Sequence, residues 1–332
     1  MAGFSRELGI DLGTMYIRIV QGGEMILEEP TIVAVDIEEQ KMVSIGEEAL
    51  SMVGRVQEEN IDVVRPLQKG VVAFYELTEL LLDQLIKKIG GSVRIFKPRI
   101  MITHPFGITS VERRAVHEAA LAVGDASLVN QPLAAAMGID LPVGTPTGNM
   151  IVCMGGGCTQ AAVIAMNDVV SGETLRQGGL DLDDAIASYV RRKYGLHIGQ
   201  RTAETVKLRV GAAVPQDEEV TVELQGQDQV TGLPRPLTMT TSEVVEALQP
   251  ALDDTFEMIR RVLEKTPPEL ASDIIDRGVA LCGGGALLRG MDRLMTQKLG
   301  VPTYLVDNPT TCVAEGALRA LGVYSTLQRH LQ

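Results

Sequence analysis

Residues 149–160 read NMIVCMGGGCTQ, and the fold turns on them. Asn149 to Met154 is an apolar run of strand length, Gly155-Gly156-Gly157 is a tight turn, and Ala161 to Ala165 resumes β-character beyond it. The chain opens on the same order. Leu8 to Leu12 reads as a buried strand, Gly13-Thr14 as a turn and Met15 to Val20 as a second strand. A third junction follows a strand expected over Asp276 to Leu281, where Gly283-Gly284-Gly285 precedes a helix running through Leu299. Strand, glycine turn, strand, then helices, once in each half, reads as an internal duplication of an α/β unit.

Between these junctions the pattern is helical or turn-like. Leu77, Leu80, Leu81, Leu85 and Ile86 recur at helical spacing in Tyr75 to Ile89. Val111 to Val123 and Glu243 to Leu263 are amphipathic, with Ser110 and Ser242 as expected N-caps. Gln131-Pro132 opens a helix of small residues, and Thr310 to Gln328 is the last helix. Pro142 to Gly148, with two prolines and two glycines, is the expected hinge between the halves.

Glycine lets successive backbone N–H groups converge with no Cβ in the way, and such concavities bind phosphate oxygens. One such turn makes a hairpin and nothing more. Three in one chain, each closing a buried strand, point to an anion cradle, and a helix after the third adds a favourable dipole. No P-loop pattern is present, and the turns lack the context of a dinucleotide fingerprint.

The 332 residues carry 30 Lys and Arg against 43 Asp and Glu, a net charge of −13, which speaks against nucleic acid as a partner. No uninterrupted apolar run reaches membrane-spanning length, and the first residues show no secretory pattern, so a cytoplasmic protein is expected. Cys153, Cys158, Cys282 and Cys312 form no C-x-x-C pair and read as buried free thiols. His104, His117, His197 and His330 are dispersed and suggest no metal site or hydrolase triad.

Several stretches together resemble the bacterial MreB family of actin homologues: IDLGT from Ile10, GGG-C-T from Gly155, Gly178-Gly179 with Leu182-Asp183, and RTAE-x-x-K from Arg201 to Lys207. EKTPPELASDIIDRG from Glu264 and CGGGALLRGMDRL from Cys282 are specific to that family, and the resemblance covers essentially the whole chain. It implies an α/β, actin-like (ribonuclease H-like), duplicated two-lobed fold with four subdomains around a nucleotide cleft. The implied first lobe is 1–142 plus 312–332, with a small subdomain at about 31–66. The second is 143–311, with a small subdomain at about 185–241. It further implies ATP or ADP with Mg²⁺ and head-to-tail filaments. These would lie on the inner face of the cell membrane and work with cell-wall elongation proteins.

Carried onto this chain, Asp11, Gly13 and Thr14 form a first phosphate loop, with Met15 and Tyr16 beside it, and Gly155, Gly156 and Gly157 form a second. Glu204 and Lys207, one helical turn apart, resemble the pair that brackets ribose and adenine; by spacing alone they read equally as a solvated pair. Gly284, Gly285, Ala286 and Leu287 resemble the remaining nucleotide wall.

The departures fall on the chemistry. Cys153 stands where the family has an aspartate, and a thiol is a poor Mg²⁺ partner. Gln131 replaces the catalytic glutamate; an amide orients water but cannot take its proton. Met15, Tyr16 and Ile17 replace a small and polar run, Cys158 a threonine, Gln160 and Leu180 acidic residues. Asp11 remains as the one metal candidate, acting through water. The expectation is a nucleotide-binding, filament-forming protein with weak or lost hydrolysis. A small-molecule kinase of the same superfamily and a non-polymerising ATP-binding scaffold are the alternatives. Ile95-Phe96, flanked by Arg94 and Lys97, reads as a membrane-contacting pair or as a strand start packed on the core, and Phe4 is a second membrane anchor candidate.

Overall fold

The two strand–turn–strand repeats become two five-stranded sheets of one design in the computed structural model, which describes residues 6–39, 41–54, 60–90 and 97–330. In the first sheet the central strand Glu7–Leu12 pairs antiparallel with Tyr16–Gln21, which pairs antiparallel with Glu24–Pro30. On its other side it pairs parallel with Arg99–His104, and that strand with Asp125–Asn130. The second sheet repeats every relation. Asn149–Met154 is central, Thr159–Ala165 and Asp168–Leu175 follow antiparallel, and Val279–Cys282 and Thr303–Leu305 follow parallel.

Burial explains which strands the sequence announces. Asn149–Met154 and Thr159–Ala165 are buried at every position, as strands covered on both faces must be. Glu24–Pro30 and Asp168–Leu175 are edge strands with polar, mixed faces, and sequence periodicity does not mark them. Helices Tyr75–Gly90 and Ser110–Val123 bury Leu81, Leu85, Val116 and Ala120 against Ile10 and Ile100 of the first sheet. Helices Gly179–Tyr194 and Thr241–Glu264 bury Ile186, Leu248 and Phe256 against Val152 and Val163 of the second. Each such side chain contributes roughly 1.5–3 kcal/mol of apolar burial.

A third cluster lies between the sheets and joins them: Met101, Ala134, Ile151, Ala280, Cys312 and Ala317. Its helices, Gln131–Gly138 and Cys312–His330, cross at backbone contact. A Cβ on Gly316 would sit 1.6 Å from the Ala134 carbonyl oxygen, and one on Gly138 1.9 Å from that of Cys312. The small-residue run after Gln131 therefore exists to admit the C-terminal helix. Two three-stranded sheets flank the large ones: Lys41–Ile45, Val33–Asp36 and Ile61–Val64, and Leu196–His197, Thr221–Asp228 and Pro234–Thr240.

Four local expectations shift. Thr109, not Ser110, caps its helix in a reciprocal box with Glu112, and Thr240, not Ser242, does so with Glu243. The expected strand start at Asp276 is instead the end of a helix, Pro268–Arg277, which Gly278 at φ 83° terminates before the strand Val279–Cys282. The third glycine turn continues as a short 3₁₀ turn, Gly284–Leu287, and the α-helix begins only at Met291.

Candidate functional site

All three glycine turns open on one cleft between the two large sheets, with a volume of about 490 Å³. This lies within the usual range of small-molecule sites. The turns interlock. Gly13 N–H donates to the Tyr16 carbonyl at 3.2 Å, and Gly155 N–H to that of Cys158 at 2.9 Å, so each is a closed hairpin. Across the cleft, a Cβ on Gly156 would lie 2.1 Å from Met15 Cγ, and one on Gly157 2.3 Å from Thr14 Oγ1. The first two turns therefore touch, and glycine is what lets them. Thr14 Oγ1 also accepts the Gly70 N–H at 2.9 Å, which ties a third loop to the same point.

The third turn rests on the second strand repeat: Gly283, at φ 87°, has no room for a Cβ beside the Met154 carbonyl, 2.3 Å away. Gly284 has nothing within 4 Å of where a Cβ would stand, so it faces open space. Gly285 and Leu287 also line the cleft, but Ala286 does not: it is 4% exposed and packs into the core of the second half. This corrects its assignment to the nucleotide wall. The 3₁₀ turn points Gly284 and Leu287 outward and Ala286 inward.

Glu204 and Lys207 of helix Gln200–Val210 both line the cleft. Lys207 is no solvated partner of Glu204. Its Nζ lies 2.8 Å from Asp183 Oδ1 and donates to the Gly179 carbonyl at 2.7 Å. Asp183, missed as a site residue, is 1% exposed; burial pushes its carboxyl up to about 6 against the opposing pull of Lys207. The sequence signal was there, an acid four residues after Gly179 in a helix whose next turn is apolar. The carbonyls of Gly155 and Gly156 accept the N–H groups of Gly179 and Leu180, both at 2.9 Å. Leu208 and Arg289 also line the cleft and were not anticipated.

Below the first two turns Asp11 is held by hydrogen bonds from Thr103 Oγ1 at 2.9 Å and Gln131 Nε2 at 3.2 Å. Burial raises its carboxyl above the ordinary range, countered by the charge of Arg18 and by these two donors. Cys153 lines the same wall, 5% exposed, with its Sγ 3.2 Å from Cys282 Sγ. Burial pushes the Cys158 thiol up to about 12, with Asp11 adding to the shift. Tyr16 lines the cleft beside Arg18, whose guanidinium stands 5.2 Å from its ring centre. Among the described residues no group of three or more His, Cys, Asp or Glu side chains converges as a metal site. Phe4, Ile95 and Phe96 lie outside the described residues.

The MreB/Mbl protein family's sequence model matches residues 5–329 of this chain. The chain is 45% identical over 316 residues to the cell shape-determining protein Mbl of Bacillus cereus, covering 94% of this chain and 95% of that protein. It is 42% identical over 326 residues to the cell shape-determining protein MreB of Escherichia coli K12, covering 96% and 94%. The crystal structure of MreB5 of Spiroplasma citri bound to AMPPNP matches the fold with a TM-score of 0.93 at 29% identity, covering 99% of both chains.

Proposed function

The chain belongs to the MreB/Mbl family, and on that footing we propose that it is a nucleotide-binding, actin-like subunit of a cell-shape filament whose ATP hydrolysis is slow or lost. One observation carries the reading: three glycine turns, two of them packed glycine backbone against Thr14 and Met15 side chains, open with Glu204 and Lys207 on a single cleft of about 490 Å³. Gly13, Thr14 and Gly155 to Gly157 would receive the phosphates of ATP or ADP. Glu204, Lys207, Gly284 and Leu287 would flank the ribose and base, with Leu208 as an added apolar contact.

The donor set at the phosphate end does not suit a protein-held Mg²⁺. Cys153 is a buried soft donor turned to another thiol, Gln131 and Gln160 are neutral amides, and Asp11 is the one carboxylate there, already accepting two hydrogen bonds. Any ion entering with the nucleotide would meet this chain through water at Asp11. Hydrolysis needs a group that takes the water's proton. Gln131 cannot, so general-base assistance, worth about 10²–10⁴ in rate, is missing.

The polymer would grow by head-to-tail contacts, which do not close. No helix among the described residues is long and apolar enough to cross a membrane. Attachment to the inner face of the membrane would therefore be peripheral, through Phe4, Ile95 and Phe96, and cell-wall elongation proteins would be the partners there. Sedimentation with and without ATP, with phosphate release measured in the same samples, tests the core reading. Pelleting that depends on nucleotide with little phosphate release is expected. Absence of nucleotide binding overturns it, and phosphate release at the rate of a turning-over filament overturns the hydrolytic part. The variant carrying Cys153→Asp and Gln131→Glu is expected to release phosphate faster than wild type. Liposome flotation of a chain lacking Phe4, with Ile95→Ser and Phe96→Ser, tests the membrane part: retained binding overturns it.

A further inference from the structure

The polar side chains at the phosphate end form one hydrogen-bonded line that crosses from half to half. The Phe106 N–H, in the turn after Arg99–His104, donates to Gln160 Oε1 at 2.8 Å. Gln160 Nε2 donates to Gln131 Oε1 at 2.5 Å, and Gln131 Nε2 to Asp11 Oδ1 at 3.2 Å. Gln160 stands on Thr159–Ala165 of the second sheet, 2% exposed; Phe106, Gln131 and Asp11 belong to the first half.

The direction of this line is forced from both ends. A backbone N–H only donates. At the other end Thr103 Oγ1 accepts the Leu12 N–H at 3.2 Å and spends its own proton on Asp11, which fixes Asp11 as the acceptor. Each amide between must turn its oxygen toward Phe106 and its nitrogen toward Asp11. A carboxylate at position 160 has no proton to give Gln131, and one at position 131 would face Asp11 with like charge. The two glutamines are therefore a matched pair.

Phe106 is also gripped by the second half at two further points. Its carbonyl accepts from Thr174 Oγ1 at 2.7 Å, and its ring fills the space above Gly172, where a Cβ would lie 2.9 Å from a ring carbon. Moving Phe106 off the second sheet would draw Gln160 away from Gln131.

We propose that Gln160 is a positioning residue: a latch that holds the two halves together over the phosphate end of the cleft and sets the orientation of the Gln131 amide. The proposal rests on the reading of the cleft as a nucleotide site. It makes opening of the halves and release of Gln131 a single event, so nucleotide exchange is governed by a bond that does not itself touch the base or ribose.

The test is the release rate of a fluorescent ADP analogue from the full chain, chased with excess ADP, across pH 5 to 8. Gln160→Leu, which leaves the Phe106 N–H and Gln131 Oε1 without their partner, is expected to release about tenfold faster than wild type. Gln160→Glu keeps the shape. Protonated, its carboxyl donates to Gln131 and accepts from Phe106; ionised, it cannot donate. Burial raises a carboxyl's pKa, so this variant is expected to match wild type at acid pH and approach Gln160→Leu at pH 8. The other titratable and charged groups facing the line are Asp11 with Arg18, the Cys153 and Cys158 thiols, His104, and the Glu112–Arg176 ion pair across the same seam. They are common to both proteins, so each rate is compared with wild type at the same pH. Gln131→Leu is expected to speed release similarly, and combining it with Gln160→Leu to add little, as for two members of one network. Release within twofold of wild type for both Gln160 variants at every pH overturns the latch. Failure of wild type to bind the analogue overturns the nucleotide reading instead.

Discussion

Cys153 Sγ and Cys282 Sγ lie 3.2 Å apart, on adjacent parallel strands whose Cα atoms are paired in register. Cys312 joins them in the same core between the sheets. Cys153 thus lines the cleft wall with its thiol turned into the packed interior. In the chain without nucleotide and Mg²⁺, an aspartate placed there would be a buried carboxylate facing the charge of Asp11. Cys153→Asp is expected to lower stability at pH 7.5 by about 3–5 kcal/mol, the usual cost of an uncompensated buried charge, and by less at pH 5, where the carboxyl protonates. Urea denaturation at the two pH values reads this. Wild-type stability at both would mean that the thiol trio opens freely to water.

The same burial makes the thiols inert. With its pKa pushed up to about 12, Cys158 is thiolate at pH 8 to the extent of on the order of one in ten thousand. The Cys282 thiol is also raised well above its ordinary value, first by its hydrogen bond with Cys153 and then by burial. Iodoacetamide at pH 8 is expected to label none of the four cysteines in the folded chain over a period in which the urea-unfolded chain labels completely, as mass spectrometry would follow. Fast labelling of Cys158 alone would show that the cleft around the Gly155–Gly157 turn opens on its own.

Asp183 and Lys207 give the cleft a pH dependence whose sign can be worked out. The folded carboxyl titrates at about 6, above its ordinary value of 3.8, because burial outweighs the pull of Lys207. The folded state therefore holds this proton more tightly than the unfolded chain does. The stabilisation is fully present below pH 4 and is lost as pH rises through 6, a change of about 2–3 kcal/mol for this group. Denaturation midpoints between pH 4 and 7.5 are expected to lose this component in Asp183→Asn. An identical slope in wild type and variant would mean that Lys207 holds the carboxylate fully ionised.

The duplicated fold was legible because its central strands are buried on both faces and end in glycine turns: Asn149 to Met154 and Leu8 to Leu12 announce themselves. The edge strands Glu24–Pro30 and Asp168–Leu175 were not, because half of each faces solvent and their pairing is set by neighbours rather than by their own pattern. In the cleft, the glycine turns marked the wall; the Glu204–Lys207 spacing alone read equally as a solvated pair, and the family resemblance is what pointed it to the cleft. Periodicity could not tell Ala286 from Leu287, since a 3₁₀ turn turns adjacent residues to opposite sides. Nor could it show that Gln160 reaches Gln131, a contact between a strand of the second sheet and the first residue of helix Gln131–Gly138.

Gly156 and Gly157 separate two reasons for a glycine, and their substitutions should behave differently. A Cβ on Gly156 meets Met15 Cγ at 2.1 Å, on a long, unbranched side chain that can swing away. A Cβ on Gly157 meets Thr14 Oγ1 at 2.3 Å and both other Thr14 side-chain carbons within 3 Å. Thr14 is β-branched, 4% exposed and committed to the Gly70 N–H, so it has few rotamers to retreat to. Moving it would leave that buried N–H unpaired, at about 1–3 kcal/mol. Gly157→Ala is thus expected to destabilise the chain by that amount and to weaken nucleotide binding by tenfold or more, while Gly156→Ala costs under about 1 kcal/mol. Thermal melts and ADP titration on the two variants decide it. Equal losses would place the constraint in the turn's backbone rather than in its contact with the first loop.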